Sequence, residues 1–268
     1  MLYDDTAFSG LKRWAVVAFI GGMNLGMSSA AAAVIEIDNS AAGPNATRNG
    51  VSTLAMGFAV GNHADRLLVV TIGGEFGSAT TAVSYGTQPM VKAADAIAGG
   101  GTCASIWYLL SPDVGTAIIS ATIEPINGWT LAAASFYNVA QQVPTDIKTS
   151  VSGGATSSMI TINVVPAGGL IIEAAASNFL GSPLVPDSGQ ISFQNVNTNV
   201  SGGWSKSATY DFTSAESPTS QQVTIPSAQR LAHTAVSFAP VPEPGSVALL
   251  VAGAIGFLAR RKRDSFRP

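Results

Sequence analysis

Histidine is the side chain best suited to chemistry near neutral pH, and this chain has two: His63 in "GNHADR" and His233 in "LAHTAV". Neither stands in an H-E-x-x-H or comparable ligand pair, so no zinc site is expected. No G-x-S-x-G elbow occurs to expose a serine nucleophile. "GGGT" at 99–102 does not run on into the Lys-Ser/Thr of a phosphate loop. The single cysteine, Cys103, has no histidine or basic side chain beside it in sequence. It reads as a small buried hydrophobe at the start of a strand, the alternative being a free thiol that pairs with another chain. Asp113 in "SPDVGT" lies in a turn opened by Pro112, and a calcium site there would need carboxylates from distant loops. Asp113 and Asp187 are the acids to examine for glycoside hydrolysis, whose carboxylate separation belongs to the fold and not to the spacing. Three of the four tryptophans, Trp107, Trp129 and Trp204, are to be weighed as faces for sugar. Trp107-Tyr108 reads as a core aromatic and its opposite-face partner. Trp129 and Trp204 follow glycine-containing turns, where exposure at a sheet edge is possible. Trp204 in "VSGGWSKS" is the candidate for glycan stacking. No catalytic, metal-binding or cofactor-binding residue is expected, and the chain is not expected to be an enzyme.

The elements that must carry these residues are poor in charge. Asp, Glu, Lys and Arg make up 11% of the chain while apolar residues make up 47%, a balance opposite to that of disorder. Between Val34 and Val241 six basic residues face twelve acidic ones, with no basic stripe to hold a phosphate backbone. Nucleic acid is excluded as an expected partner. One cysteine permits no disulfide within the chain, so stability must come from burial, which some 200 residues can supply.

Both ends read as addresses. In "KRWAVVAFIGGMNLGMSSAAAA" a basic pair, Lys12-Arg13, precedes an apolar run that closes on small residues. That layout predicts a secretory signal peptide over residues 1–33, cut by signal peptidase after Ala33. At the other end, Val247 to Ala259 is an unbroken run of thirteen apolar or glycine residues, roughly 20 Å as a helix. That is short of the ~30 Å hydrocarbon core. Four cations follow at once: Arg260, Arg261, Lys262 and Arg263. They cannot enter a protein core, but they can hold a short transmembrane helix with its end in the cytoplasm. Pro240, Pro242 and Pro244 precede it, keeping the approach extended and out of helices and central strands.

"VPEPGS", then the apolar span, then "ARRKR" closely resembles the PEP-CTERM sorting signal of Gram-negative bacteria. The resemblance covers residues 240–268, with Val241, Pro242, Glu243, Pro244 and Gly245 as the sorting and processing motif. It implies recognition by an exosortase, a membrane-embedded cysteine transpeptidase-like enzyme, with cleavage near Pro242-Glu243-Pro244 and loss of the helix. It also implies a precursor tethered for a time to the inner membrane, and a cell coated in exopolysaccharide.

Between the addresses, residues 34–239 carry β-rich runs every ten to twenty residues, parted by Gly, Pro, Asn, Asp and Ser. Strands are expected near 51–60, 66–72, 79–85, 104–111, 116–124, 129–137, 157–165, 169–176, 190–196, 204–212, 221–225 and 231–239. In "SSMITINVV" Ile160, Ile162 and Val164 alternate with polar residues, as one wet face requires. "RLLVV" and "ASIWYLL" are apolar on both faces and suit central strands. The expected fold is all-β, an antiparallel β-sandwich of the Ig-like or jelly-roll kind, in one domain. The series "DRLLVVTIGG", "AVSYGTQPMVKA", "ASIWYLLSPDVGTAIISATI", "AAASFYNVAQQVPTD" and "GGLIIEAAASN" resembles an uncharacterised bacterial extracellular β-sandwich module over about 60–180. It departs from that pattern at Thr87 and in "FYNVAQQVP". The resemblance implies a fold and an extracellular setting, and supplies no activity. The expected function is that of an exported surface or matrix protein with a structural or adhesive part in the exopolysaccharide or biofilm layer. The alternatives are a carbohydrate-binding, lectin-like module and a secreted polysaccharide hydrolase.

Overall fold

The runs that are apolar on both faces form the middle of the molecule. In a computed structural model of the chain, residues 33–46, 52–74, 80–123, 128–178, 183–197, 205–213 and 218–242 are described. Among them no helix occurs, and so none that could cross a membrane. The strands are β1 (Glu36–Ala46), β2 (Thr53–Val60), β3 (Leu67–Gly74), β4 (Ala82–Tyr85), β5 (Gln88–Pro89), β6 (Val91–Ala98), β7 (Thr102–Leu110) and β8 (Gly115–Thr122). They continue with β9 (Trp129–Tyr137), β10 (Asp146–Ile162), β11 (Leu170–Ser177), β12 (Val185–Pro186), β13 (Ile191–Asn197), β14 (Ser205–Phe212) and β15 (Thr219–Phe238). All pairings are antiparallel, in three sheets ordered β2-β8-β4-β5, β1-β9-β3-β7-β6 and β10-β15-β11-β14-β13, with β12 added to β15.

The five-stranded sheet is covered twice. From β3, Leu68, Val70 and Ile72 pack with Leu54, Phe58, Tyr85 and Ile119 of the four-stranded sheet. Leu67 and Val69, on the opposite face, pack with Ile172, Tyr210, Val236 and Phe238 of the third sheet. Period-two alternation sends successive residues to opposite faces, so a strand buried on both must be apolar throughout. β3, β9 and β11 come close to that demand, with Thr71, Thr130, Ser135, Glu173 and Ser177 as buried polar exceptions. The antiparallel all-β expectation holds, and the sandwich has a third layer that a two-sheet arrangement lacks.

The third sheet is itself partly covered by its own longest strands. β10 breaks register with β15 on either side of Ala155, next to Gly153 and Gly154, and doubles back. Its two ends meet where Asp146 Oδ2 accepts the Asn163 N–H at 2.7 Å. Ile160, Ile162 and Val165 then pack on Ile171 and Ala235, while Leu184, Val223 and Ile225 pack on Ala175 and Leu231. The expected alternation through Val164 stops short. The strand ends at Ile162, and it is Val165 that turns inward while Val164 is exposed.

Four strands are absent from the sequence expectation, β1, β6 and the two-residue β5 and β12, as is the first half of β10. β1, "EIDNSAAGPNA", is built of turn-type residues and is an edge strand ordered by β9. β6, "VKAADAIA", is alanine-rich, and Ala94, Ala96 and Ala98 are buried in the core shared with the third sheet.

Candidate functional site

The last described residues of the tail are held on the body. β9 ends at Tyr137, and Asn138 turns the chain with φ of 60°. Asparagine tolerates this left-handed conformation better than most side chains. From there Asn138 ties down both ends of the body. Its side-chain amide donates to the Val34 carbonyl at 2.8 Å, and its backbone carbonyl accepts the Val241 N–H at 3.0 Å. The Val241 carbonyl accepts the N–H of Ala33 at 3.0 Å, Val139 bridges Pro240, and Ala140 N–H donates to the Ala239 carbonyl at 2.9 Å. Pro240 and Pro242 have no N–H, so Val241 is the one backbone donor of 240–242, and it is engaged. Val241 is half-buried and Pro242 is exposed.

Neighbouring loops form a hydrogen-bonded plate around this junction. Arg66 donates from Nε to the Pro112 carbonyl at 3.0 Å and from Nη1 to the His63 carbonyl. Gln141 Nε2 donates to the carbonyls of Arg66 at 3.1 Å and Val139 at 2.9 Å, and Gln141 Oε1 accepts from Ser111 Oγ at 2.7 Å. Among the described residues three non-glycines have positive φ: Asp65, Ser111 and Asn138. All three lie in this plate. His63 stacks on Tyr137 with ring centroids 4.2 Å apart, its Nε2 3.4 Å from Asp38 Oδ1. Its surroundings are those of a loop anchor. The Glu36 carboxylate, hydrogen-bonded to the Tyr137 hydroxyl, raises that phenol above its ordinary range.

The other residues singled out from sequence are scattered. Cys103 is buried on the face of the middle sheet toward the four-stranded one, and burial pushes its thiol up to about 12, so the thiolate is absent at neutral pH. Trp107 and Tyr108 are both buried, on opposite faces. Trp107 Nε1 donates to Ser105 Oγ at 3.2 Å, with Lys92 Nζ 5.1 Å from the ring centroid. Trp129 is a correction. It is 1% exposed, because Gly74 leaves it a slot in which a Cβ would lie 2.5 Å from the indole. Asp113 offers its backbone N–H to Gln88, and Asp187 caps the N–H of Ser188. Among the described residues no three His, Cys, Asp or Glu side chains gather around a point that could hold a metal ion. Trp204, Glu243, Pro244, Gly245, Arg260, Arg261, Lys262 and Arg263 lie outside the described residues, as do Val247–Ala259 and the leader before Ala33.

Sequence reasoning missed two buried polar features. On the outer face of the third sheet His233 stands between Ser158 and Glu173, with Nδ1 3.1 Å from Ser158 Oγ and Nε2 3.4 Å from Glu173 Oε2. Gln190 Nε2 donates to Glu173 Oε2 at 2.6 Å and also contacts Gln221 Oε1. The doubled-back ribbon covers this array, burying Ser158, Glu173, Gln221 and His233 and leaving Gln190 half-buried at its rim. The second feature is Lys206, fully buried between the middle and third sheets. Its Nζ donates to the Thr71 carbonyl at 2.8 Å and to Thr71 Oγ1 at 3.1 Å. One signal was legible: Glu173 is the lone charge in the otherwise apolar run "LIIEAAA".

Compared with known families, residues 240–263 match the PEP-CTERM protein-sorting motif. No curated protein and no solved structure matches the chain. The chain therefore carries a sorting motif of the kind that exosortases recognise, and that motif marks an exported protein sorted to the cell surface.

Proposed function

We propose that this protein is a substrate of exosortase-type processing, delivered across the inner membrane by its leader and held there for a time by Val247–Ala259. Arg260, Arg261, Lys262 and Arg263 keep the end of the tail in the cytoplasm. After cleavage near Pro242-Glu243-Pro244 the β body serves in the exopolysaccharide layer as a structural or adhesive component, by its shape and surface and without turnover. The observation that carries this reading is the sorting-motif match over 240–263. The body supports it by presenting Pro242 at its surface, directly before Glu243. The motif's chemistry is that of a substrate. Its prolines fix an extended backbone that an enzyme cleft can grip, and Glu243 is the one charge between them.

The test is the full chain with Pro242, Glu243 and Pro244 all changed to Ala, in a host that has an exosortase. The variant is expected to stay in the membrane fraction with its tail attached, while the wild-type chain loses it. Intact-mass measurement decides: a variant trimmed and released like the wild type would overturn the reading.

A further inference from the structure

The tether is short and leaves the body at a fixed place. Pro242 is held beside the Asn138 plate, and five residue steps separate it from Val247, where the apolar run begins. Fully extended, those steps reach at most about 18 Å. A compact body of some 200 residues has a radius of gyration of roughly 17 Å and is about 40 Å across. A tether less than half that width does not let the body turn another end to the bilayer. Four exposed valines lie on this same end: Val34 at 70%, Val114 at 51%, Val143 at 68% and Val164 at 55%. Three adjoin the plate, and Val164 lies beside it on the strand ends that Thr145 and Ser237 tie together. Val34 bonds Asn138, Val114 follows the Ser111–Gln141 link, Val143 follows Gln141, and the Val164 carbonyl accepts from Thr145 and Ser237. The charges nearby are mostly acidic, Glu36, Asp38, Asp65 and Asp113 against Arg66 and His63, so no basic patch seeks anionic headgroups.

We infer that in the tethered precursor this plate is a membrane-facing surface, resting on the lipid headgroup layer through its exposed valines. The inference rests on the tethered-precursor reading given above. It adds the orientation of the body, the surface that meets the lipid, and Asn138 as the residue that fixes both.

The test uses the full chain with Glu243→Ala, which keeps its tail, in phosphatidylethanolamine–phosphatidylglycerol vesicles containing a headgroup-spin-labelled lipid. A fluorophore is placed on Val143→Cys or, at the far end, on Gly154→Cys, where an added Cβ meets nothing within 4 Å. The buried Cys103 stays unlabelled. Quenching several-fold stronger at 143 than at 154, and not weakened by added salt, is the expected result. A long Gly/Ser linker inserted between Pro242 and Glu243 should abolish the difference. Equal quenching at both positions, in chains that float with the vesicles, overturns the inference and leaves the tether standing. Chains that do not float remove the tether and the inference with it. Quenching at 143 that needs exosortase in the vesicles would assign the plate to a protein partner and overturn the lipid assignment.

Discussion

Lys206 is the residue whose position most contradicts its type. It is fully buried, and no salt bridge among the described residues includes it. Desolvation holds its amine well below the usual lysine range. Gly73 makes room for it: a Cβ there would lie 2.7 Å from Lys206 Cδ. Because the folded pKa is depressed, the unfolded chain binds the extra proton between that value and the ordinary lysine pKa of about 10.4. Stability therefore rises with pH through that window, and below it the buried amine is a net cost. Lys206→Met keeps the stem and removes the amine. It is expected to stabilise the protein by about 1–3 kcal/mol near pH 7 and to flatten the rise toward alkaline pH. Urea unfolding of both proteins at about pH 7 and pH 9.5 decides the matter; a destabilised variant with an unchanged pH slope would sink it. Sequence could not announce this residue, since nothing local in "SKSATYDF" marks its lysine for burial. The same limit hid Trp129, whose burial depends on Gly74 across the ladder and not on its own neighbours.

Strands declared themselves where both faces are buried and stayed silent where only tertiary pairing orders them. β3, β9 and β11 are mainly apolar runs, interrupted by Thr71, by Thr130 and Ser135, and by Glu173 and Ser177. The first half of β10 puts Ile147 and Val151 on the exposed side, so its alternation points the wrong way for a core strand. Its order comes from β15 on one side and from its own second half above. Asp146 closes that fold-back. Burial pushes its carboxyl up, but the hydrogen bond from Lys148 and the N–H groups of Asn163, Ile147 and Val164 outweigh it and hold the group below the usual aspartate range. A depressed carboxylate contributes stability above its unfolded pKa of about 3.9 and loses it as pH falls through the folded value. Asp146→Ala is expected to cost about 1.5–3 kcal/mol near pH 7, the range for hydrogen bonds to a charged group. The gap to wild type should narrow as pH falls below the ordinary aspartate range, through the lowered folded value. Hydrogen exchange should place the loss in Asn163 and Val164. An equal deficit at neutral and acid pH would refute the charge-based account.

At the scale of the whole molecule, the chain's two parts need each other. β1 to β9 build the four- and five-stranded sheets, and β10 to β15 build the third. Two-sided apolar strands said that some sheet is covered on both faces, but not that one continuous half of the chain would supply the second cover. That cover is aromatic: Phe136 meets Tyr210 edge-on at 5.4 Å between ring centroids, and Tyr108 meets Phe238 at 5.7 Å. Cut off after Val143, the first part would expose Leu67, Val69, Ile106, Tyr108 and Phe136 as one apolar face. Residues 34–143 expressed alone are therefore expected to aggregate or bind hydrophobic dye, and residues 144–242 to behave likewise. Mixed during refolding, the two should form a soluble complex. The intact body should unfold in one transition, seen alike by tryptophan emission, to which Trp107 and Trp129 of the first part contribute, and by far-ultraviolet circular dichroism over all strands. A soluble, cooperatively folding 34–143 fragment would mean that the shared face stabilises neither part.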